Sequence, residues 1–225
     1  MNIFTNNRKT ILSVDFHRNS CKNICSYCYV DTLERIYPAY KKKLETNYNK
    51  ALTDPESFAT SLNEEYKKAL QSKSKKYSRL NKLPIRIYGS GDFIPVHKKF
   101  LEKLTFKYFI ISKTLTLKST DAIRKELLNI NNLQSLVLSF DNDNINNYSN
   151  VSHLFKSNKV KFSFTGTNED INRHKASGLK FNIFFNIDKK QSSIKLARNH
   201  KEQCPCDTKL IKSDEACTYC NKCWR

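Results

Sequence analysis

Short strand-like segments alternate along this chain with segments of helical periodicity. The strand-like segments are rich in β-branched and aromatic residues and cover residues 11–16, 85–88, 108–112, 135–140, 161–165 and 180–187. Helical patterns lie between them, at residues 31–40, 55–72, 96–104, 121–129, 148–156 and 169–177. Alternating strands and helices favour an α/β fold with a parallel sheet joined by right-handed crossovers. Because six such units are too few for a closed eight-stranded barrel, we expect an open, partial (β/α)6 barrel with parallel strands.

The chain divides by composition into two parts. Residues 1–187 are predicted to form the partial barrel, with a basic helical insertion at about residues 40–82 in the first crossover. Whether that insertion is a solvated helical surface or one that binds a phosphate backbone stays open. Residues 188–225 are predicted to be a small cysteine-rich tail that binds a metal.

The overall charge favours an anionic partner. The formal net charge is +19, which raises the local concentration of polyanions such as nucleic acid, although compositional drift would produce the same excess. We expect no membrane partner, because the longest apolar runs are far shorter than a membrane span. The N-terminal residues lack the apolar block of a signal peptide, so a cytoplasmic location is expected. In that reducing compartment we expect the eight cysteines to bind metal and not to form a disulfide framework.

The first cysteine group follows the first predicted strand. Cys21, Cys25 and Cys28 have the spacing Cys-x-x-x-Cys-x-x-Cys. Thiolates are the usual ligands of a [4Fe–4S] cluster, which normally takes four, so three close ligands predict one iron with an open coordination position. A zinc site completed by a distant cysteine is the alternative.

This cysteine pattern, with the aromatic Tyr27 just before the third cysteine, resembles the signature of the radical S-adenosylmethionine superfamily. Its position after the first strand of six βα units agrees with that superfamily's partial barrel. The resemblance implies that the three cysteines hold a catalytic [4Fe–4S] cluster and that Tyr27 lies near the adenine of S-adenosylmethionine. It also implies reductive cleavage of that cofactor to a 5′-deoxyadenosyl radical that abstracts hydrogen from a substrate, with a flavodoxin- or ferredoxin-like protein as electron donor.

Further cofactor contacts are expected where later strands end. Gly89, Ser90, Gly91 and Asp92 resemble a variant of the glycine-rich turn that contacts the methionine amino group in that superfamily. An ordinary strand-to-helix turn would use the same residue types. By the same resemblance, Lys113 is a candidate for the methionine carboxylate, Ser139 and Asp141 are candidates for the ribose, and Asn186 is a weaker candidate for adenine or substrate.

The histidines show no spacing typical of a metal site. His97 and His153 are expected to be surface residues, whereas His17 lies next to the cysteine loop and is a candidate for tuning it.

The tail carries five more cysteines within residues 204–223. Cys217, Cys220 and Cys223 occur at three-residue steps, with Cys204 as the preferred fourth ligand and Cys206 as the second choice. Their spacing resembles the ligand pattern of bacterial ferredoxins. The tail is therefore predicted to bind a second [4Fe–4S] cluster or a structural Zn²⁺.

Three functions are compatible with these features. The leading hypothesis is a radical S-adenosylmethionine enzyme that acts on a nucleic acid or a nucleotide. The second keeps the chemistry but has a peptide or protein substrate, with the tail holding an auxiliary cluster. The third is a non-enzymatic nucleic-acid-binding protein with two zinc sites. The sequence identifies neither the product nor the oligomeric state.

Overall fold

The computed structural model describes residues 3–6, 12–22, 25, 28–72, 77, 80 and 83–186. Within them, seven strands form one sheet whose spatial order follows the chain. The strands are β1 (Phe4–Asn6), β2 (Leu12–Val14), β3 (Ile85–Ile87), β4 (Tyr108–Ser112), β5 (Leu133–Phe140), β6 (Val160–Gly166) and β7 (Ile183–Asn186). The helices are α1 (Tyr29–Ile36), α2 (Pro38–Thr53), α3 (Pro55–Gln71), α4 (Lys98–Glu102), α5 (Asp121–Leu128), α6 (Tyr148–Val151) and α7 (Asn168–Ala176).

The sheet is mostly parallel, as the sequence predicts. Strands β2 to β7 pair in parallel with their neighbours, and only β1 is antiparallel, to β2. The prediction missed β1, because a three-residue strand has too few residues to show a period. In the described part of the chain β1 and β7 are the two edges, so this sheet is open.

The sheet has one face under the helices and one face turned away from them. Alternate residues of each strand contribute to two apolar clusters, since side chains in a strand point to opposite faces. The large cluster that includes helix residues contains Ile110 and Leu138. A small cluster on the other face contains Phe109, Val137 and Ile183. Each new strand joins the sheet at the same edge, and right-handed crossovers then place all the connecting helices on one face.

The first crossover contains three helices, where the sequence predicts two, at residues 31–40 and 55–72. The second prediction is confirmed by α3, and the first corresponds to α1 and the start of α2. The prediction at 31–40 was wrong in its end point: α1 ends at Ile36, and Pro38 occupies the first turn of α2, where its missing N–H costs no hydrogen bond. Asp54 caps α3 by accepting from the Ser57 N–H at 3.0 Å. Ala51 and Phe58 belong to the main core, so these helices are packed parts of the same folded unit.

His97 corrects a second expectation. It was predicted to be a surface residue, but it is fully buried, while His153 is exposed as predicted. The Tyr88 hydroxyl lies 2.8 Å from His97 Nδ1, and the rings of Phe16 and Phe100 pack against the imidazole. Burial lowers the pKa of His97 to about 3, so this histidine is a neutral core residue.

Three further predictions concern regions partly or wholly outside the described residues. The cysteine-rich tail lies outside them, with Cys204, Cys206, Cys217, Cys220 and Cys223. Tyr27 lies outside them as well, as does most of the basic stretch at 73–82. None of the helices described is both long enough and apolar enough to cross a membrane.

Candidate active site

The carboxyl ends of the parallel strands meet along one edge of the sheet, which is where open α/β folds build their sites. The segments that follow β2, β3, β4 and β5 contact one another there. Together these segments contain most of the residues that the sequence singled out, in chain order His17, Cys21, Cys25, Cys28, Gly89, Ser90, Gly91, Asp92, Lys113, Ser139 and Asp141.

The cysteine loop begins with a short 3-10 turn at Arg18–Ser20, which His17 caps by accepting from the Asn19 N–H at 3.3 Å. The Cys21 N–H donates to the Arg18 carbonyl at 2.8 Å, and Cys28 is the residue immediately before α1. All three cysteines are half-buried, and none of the three forms a disulfide. The loop therefore presents three free thiols at the carboxyl edge.

Lys113 joins two of the predicted groups. It follows β4, and its Nζ lies 2.9 Å from Cys25 Sγ and also forms an ion pair with the Asp141 carboxylate. The lysine side chain is 15% exposed and the aspartate side chain 3% exposed. Low exposure strengthens such an ion pair and makes an unpaired partner costly. Three segments far apart in sequence thus converge on one ammonium group.

Asp141 is held in place by its own loop. The N–H groups of Asp143 and Asn144 donate to Asp141 Oδ1 at 3.1 and 3.2 Å, and the Asn144 side chain accepts from the Asp141 N–H at 2.7 Å. The Asn144 amide also donates to the Ser139 carbonyl at 2.9 Å. The turn after β5 therefore fixes the carboxylate that faces Lys113, while the half-buried Ser139 pairs with Ser163 of β6.

Asp92 ties the segment after β3 to the segment after β4. Its buried carboxylate accepts five hydrogen bonds, from the Phe93 N–H, Ser112 Oγ, the Lys113 N–H, and the N–H and hydroxyl of Thr114. Burial raises the pKa of Asp92, and these donors partly offset that effect. A carboxylate offers about four lone-pair sites, so the chain's own donors already occupy this one. In the structure Asp92 positions Lys113; its predicted contact with a cofactor stays a prediction.

The two glycines of the turn allow a close approach between chain segments. A Cβ on Gly91, whose φ is +75°, would lie 2.6 Å from Ser20 Oγ and 2.8 Å from the Phe16 carbonyl oxygen. A Cβ on Gly89 would lie 2.2 Å from Asp15 Oδ1. Ser20 Oγ also accepts from the Asp92 N–H at 2.8 Å. The glycine turn is therefore packed directly against the end of β2 and the cysteine loop.

Asp15 is a site residue that sequence reasoning missed. It is 3% exposed, and its carboxylate accepts from Ser13 Oγ at 3.0 Å and from the Ser90 N–H at 3.1 Å. Tyr40 of α2 reaches the same place, with its hydroxyl 3.5 Å from Asp15 and 3.3 Å from Ser90 Oγ. A lone aspartate at the end of a strand-like segment was the available signal, since buried carboxylates are rare without a specific partner.

A second missed residue is Arg124 of α5, whose side chain is 1% exposed. Its guanidinium donates to the Leu115 carbonyl at 2.6 Å, the Leu117 carbonyl at 3.3 Å and Thr120 Oγ1 at 3.1 Å. These bonds hold the segment that follows Lys113. Nothing in the local sequence distinguishes this arginine from the many solvated basic residues.

His17 faces two carboxylates. Its Nε2 lies 3.5 Å from Glu34 Oε1 and 3.9 Å from Glu45 Oε1, and both His17 and Glu34 are buried. The Asn19 N–H donates to Nδ1, which places the ring proton of a neutral imidazole on Nε2, toward Glu34. His17 Nε2 and Glu34 Oε1 are both buried, and neither atom has a hydrogen-bond partner in the described part of the chain, so the start of the cysteine loop faces α1 across this 3.5 Å separation.

The chemistry of the thiols fits a metal cluster, although their arrangement is not closed around an ion. Throughout the described ranges, no group of three or more His, Cys, Asp or Glu side chains is placed to hold one. Burial raises the pKa of Cys21 to about 12, and the negative charges of Asp92, Cys25 and Cys28 add to the effect. Thiolates so close together need a compensating cation, which an iron–sulfur cluster supplies. Cys21, Cys25 and Cys28 would hold such a group.

The remaining predicted residue, Asn186, ends β7 and pairs with Gly166 of β6. It lies at the same edge of the sheet as the site, four strands from β3 in the sheet order. No described contact joins it to the cysteine loop, and its role stays a prediction.

Comparison with known proteins identifies one family. A family model described as Gene product 88 matches residues 4–225, nearly the whole chain. No curated protein and no solved structure matches the chain.

Proposed function

The chain belongs to the Gene product 88 family over residues 4–225, and we propose that it is a radical S-adenosylmethionine enzyme acting on a nucleic acid or a nucleotide. The main observation in support is that Lys113 contacts both Cys25 and Asp141, which belong to separate segments of the chain. This contact lies at the carboxyl edge of the sheet, in the same loop region as Cys21 and Cys28. We further propose that the six parallel strands form a partial (β/α)6 barrel whose open edge receives the cofactor.

A [4Fe–4S] cluster held by Cys21, Cys25 and Cys28 supplies one-electron reductive cleavage of S-adenosylmethionine when both are bound. A flavodoxin- or ferredoxin-like protein is the proposed electron donor. The residues of the chain then have binding and orienting tasks, and the tail cysteines are proposed to hold a second cluster or a zinc ion.

Lys113 has the position of an anion-binding group at this site. Its ammonium is held between a thiol and a buried carboxylate, so it offers positive charge next to the proposed cluster. Asp92 fixes the backbone of Lys113 through the 3.2 Å bond from its N–H. These contacts support a role for Lys113 in orienting the carboxylate of the methionine moiety.

Asp15 and Ser90 supply acceptors at the neighbouring position. The Asp15 carboxylate is 3% exposed and borders both β2 and the glycine turn. Such a buried carboxylate at a site edge supports binding of a cationic group such as the methionine ammonium. Asp15 is thus proposed for the methionine ammonium together with Asp92, whose predicted contact with that group stays a prediction.

The net charge of +19 supports an anionic substrate. It favours a nucleic acid or a nucleotide over a neutral peptide, because counterion release contributes strongly to binding of phosphate backbones.

The test is anaerobic reconstitution followed by measurement of iron, sulfide and zinc per chain. EPR spectra of the dithionite-reduced protein are then recorded with and without S-adenosylmethionine. We expect roughly four irons per cluster, and a reduced-cluster signal that shifts when the cofactor is added. The matched control is the Cys21→Ser, Cys25→Ser, Cys28→Ser variant, which should lose the shifting signal and keep any metal bound by the tail. Zinc alone, with no cofactor-sensitive signal, would refute the proposal.

A further inference from the structure

The corner between α1 and α2 exposes two neighbouring apolar side chains. Ile36 is 55% exposed and Tyr37 is 56% exposed. Single exposed apolar residues are common on protein surfaces, but two adjacent large ones on a basic protein form a distinct feature. Arg35, Lys41 and Lys42 flank them and are exposed as well. We call these five residues the corner surface.

The corner surface lies at the rim of the candidate site. On one side of it Glu34 is 3.5 Å from His17, at the start of the cysteine loop. On the other side the Tyr40 hydroxyl is 3.3 Å from Ser90 Oγ, in the glycine turn. The corner is therefore fixed at both ends to the carboxyl edge of the sheet. Along the axis of α1 it is about 12 Å from Cys28, given the rise of an α-helix.

The local charge around the corner surface is positive. Of the nearby acidic residues, Asp31 is paired with Arg18 and Glu34 is buried. Glu45 lies 3.9 Å from Lys41, a separation at which an exposed pair contributes little. Arg35 and Lys42 are thus exposed cationic residues within five positions of Tyr37 in the chain.

We propose that the corner surface binds single-stranded nucleic acid, with an unpaired base stacked on Tyr37 and phosphates near Arg35, Lys41 and Lys42. An exposed aromatic ring among cations is the combination that binds single strands without sequence preference, since every base has a flat face to stack. In a duplex the bases are already stacked, so the ring would find no partner. The inference rests on the proposed function for its substrate class, while binding itself requires no cluster and no S-adenosylmethionine.

The experiment measures fluorescence anisotropy of the full chain with labelled oligouridylate or oligothymidylate of about 12 nucleotides, within the site sizes of single-strand binders. Tyr37→Ala should weaken binding by about 5- to 100-fold, because stacking of one base is lost. Tyr37→Phe keeps the ring and should bind like the wild type. Leu70→Ala is the matched control, because Leu70 is 46% exposed at the far end of α3 and should not affect binding. Lys42→Ala should reduce the slope of log affinity against log salt by about 0.7.

Equal binding by Tyr37→Ala and Leu70→Ala would overturn the proposal, as would displacement of the oligonucleotide by polyglutamate as effectively as by unlabelled strand. Preference for the ribose or the deoxyribose strand identifies which nucleic acid is bound. The result is separable from the proposed function. If the protein has a cofactor-sensitive cluster but Tyr37→Ala binds the oligonucleotide like the wild type, only the role of the corner surface is refuted. If binding depends on the Tyr37 ring but no such cluster forms, only the proposed chemistry is refuted.

Discussion

Replacement of Asp92 by asparagine tests whether this carboxylate organises the site. The change preserves the size of the side chain but turns one acceptor oxygen into an NH₂ donor. At the Oδ2 position that donor would face the N–H groups of Lys113 and Thr114 and leave both unpaired. At the Oδ1 position it would face the Phe93 N–H, while Ser112 Oγ can rotate its hydrogen away and accept. The second orientation has the lower free-energy cost, because it leaves only the buried Phe93 N–H without an acceptor.

One buried, unpaired N–H costs about 1–3 kcal/mol of unfolding free energy. For a chain of this size that corresponds to a drop in Tm of about 2–12 °C. The assay is urea unfolding of Asp92→Asn beside Asp143→Asn, a control with the same chemistry at an exposed position. The control should change the unfolding free energy by less than about 0.5 kcal/mol.

A local readout distinguishes a loosened site from general destabilisation. Hydrogen exchange in Asp92→Asn should accelerate most at the Phe93 N–H, which loses its acceptor. It should accelerate less at the N–H groups of Lys113 and Thr114, whose bonds to a neutral amide oxygen are weaker than bonds to a carboxylate, while the Ile110 amide in β4 keeps its protection. If Asp92→Asn unfolds like the wild type and its amides stay protected, Asp92 does not hold the two segments together.

Two further predictions concern buried ionisable groups. Because burial lowers the pKa of His97 to about 3 from 6.5, the native state resists protonation, and unfolding free energy should fall by about 2 kcal/mol between pH 7.5 and 5. Urea unfolding should show this loss largely removed in His97→Gln and retained in His153→Gln; identical pH dependence in both variants would contradict it. Lys113→Met leaves the Asp141 carboxylate without its cation and should cost about 3 kcal/mol in the same assay, most of it recovered in Lys113→Met, Asp141→Asn. Additive losses in the double variant would argue against the pair.

Local patterns predicted the parallel strands well. Strand β4 was predicted at its observed bounds, and β5 and β6 to within two residues, since β-branched and aromatic runs bounded by polar turns are a local signal. The helix prediction at 31–40 was wrong at Pro38, where one helix ends and another begins. The helical periodicity continues across this proline, so the sequence pattern does not show the break. The predicted helix at 96–104 likewise included part of the 3-10 turn at Pro95–His97, because a 3-10 turn that leads directly into an α-helix does not interrupt the helical pattern.

The candidate site divides in the same way. The spacing of Cys21, Cys25 and Cys28 and the glycines at 89 and 91 are local signals, and the sequence identified them. Arg124 carries no local signal, and for Asp15 the only local signal is an aspartate at the end of a strand-like segment. The importance of both residues comes from burial and from partners distant in the chain. Burial of a charged side chain depends on what packs over it, which no local pattern encodes.

The sequence by itself determined the parallel α/β architecture and the edge at which strand-end residues meet. These follow from chain direction, side-chain period and the handedness of crossovers, all of which are local or chiral rules. Only the tertiary structure decided which of the predicted residues touch. It joined Lys113 to Cys25 and Asp141, filled the acceptor sites of Asp92 with the chain's own donors and left Asp15 beside the glycine turn. The physical reason is that hydrogen bonds and ion pairs depend on ångström-scale distances between segments, which are set by packing of the whole core.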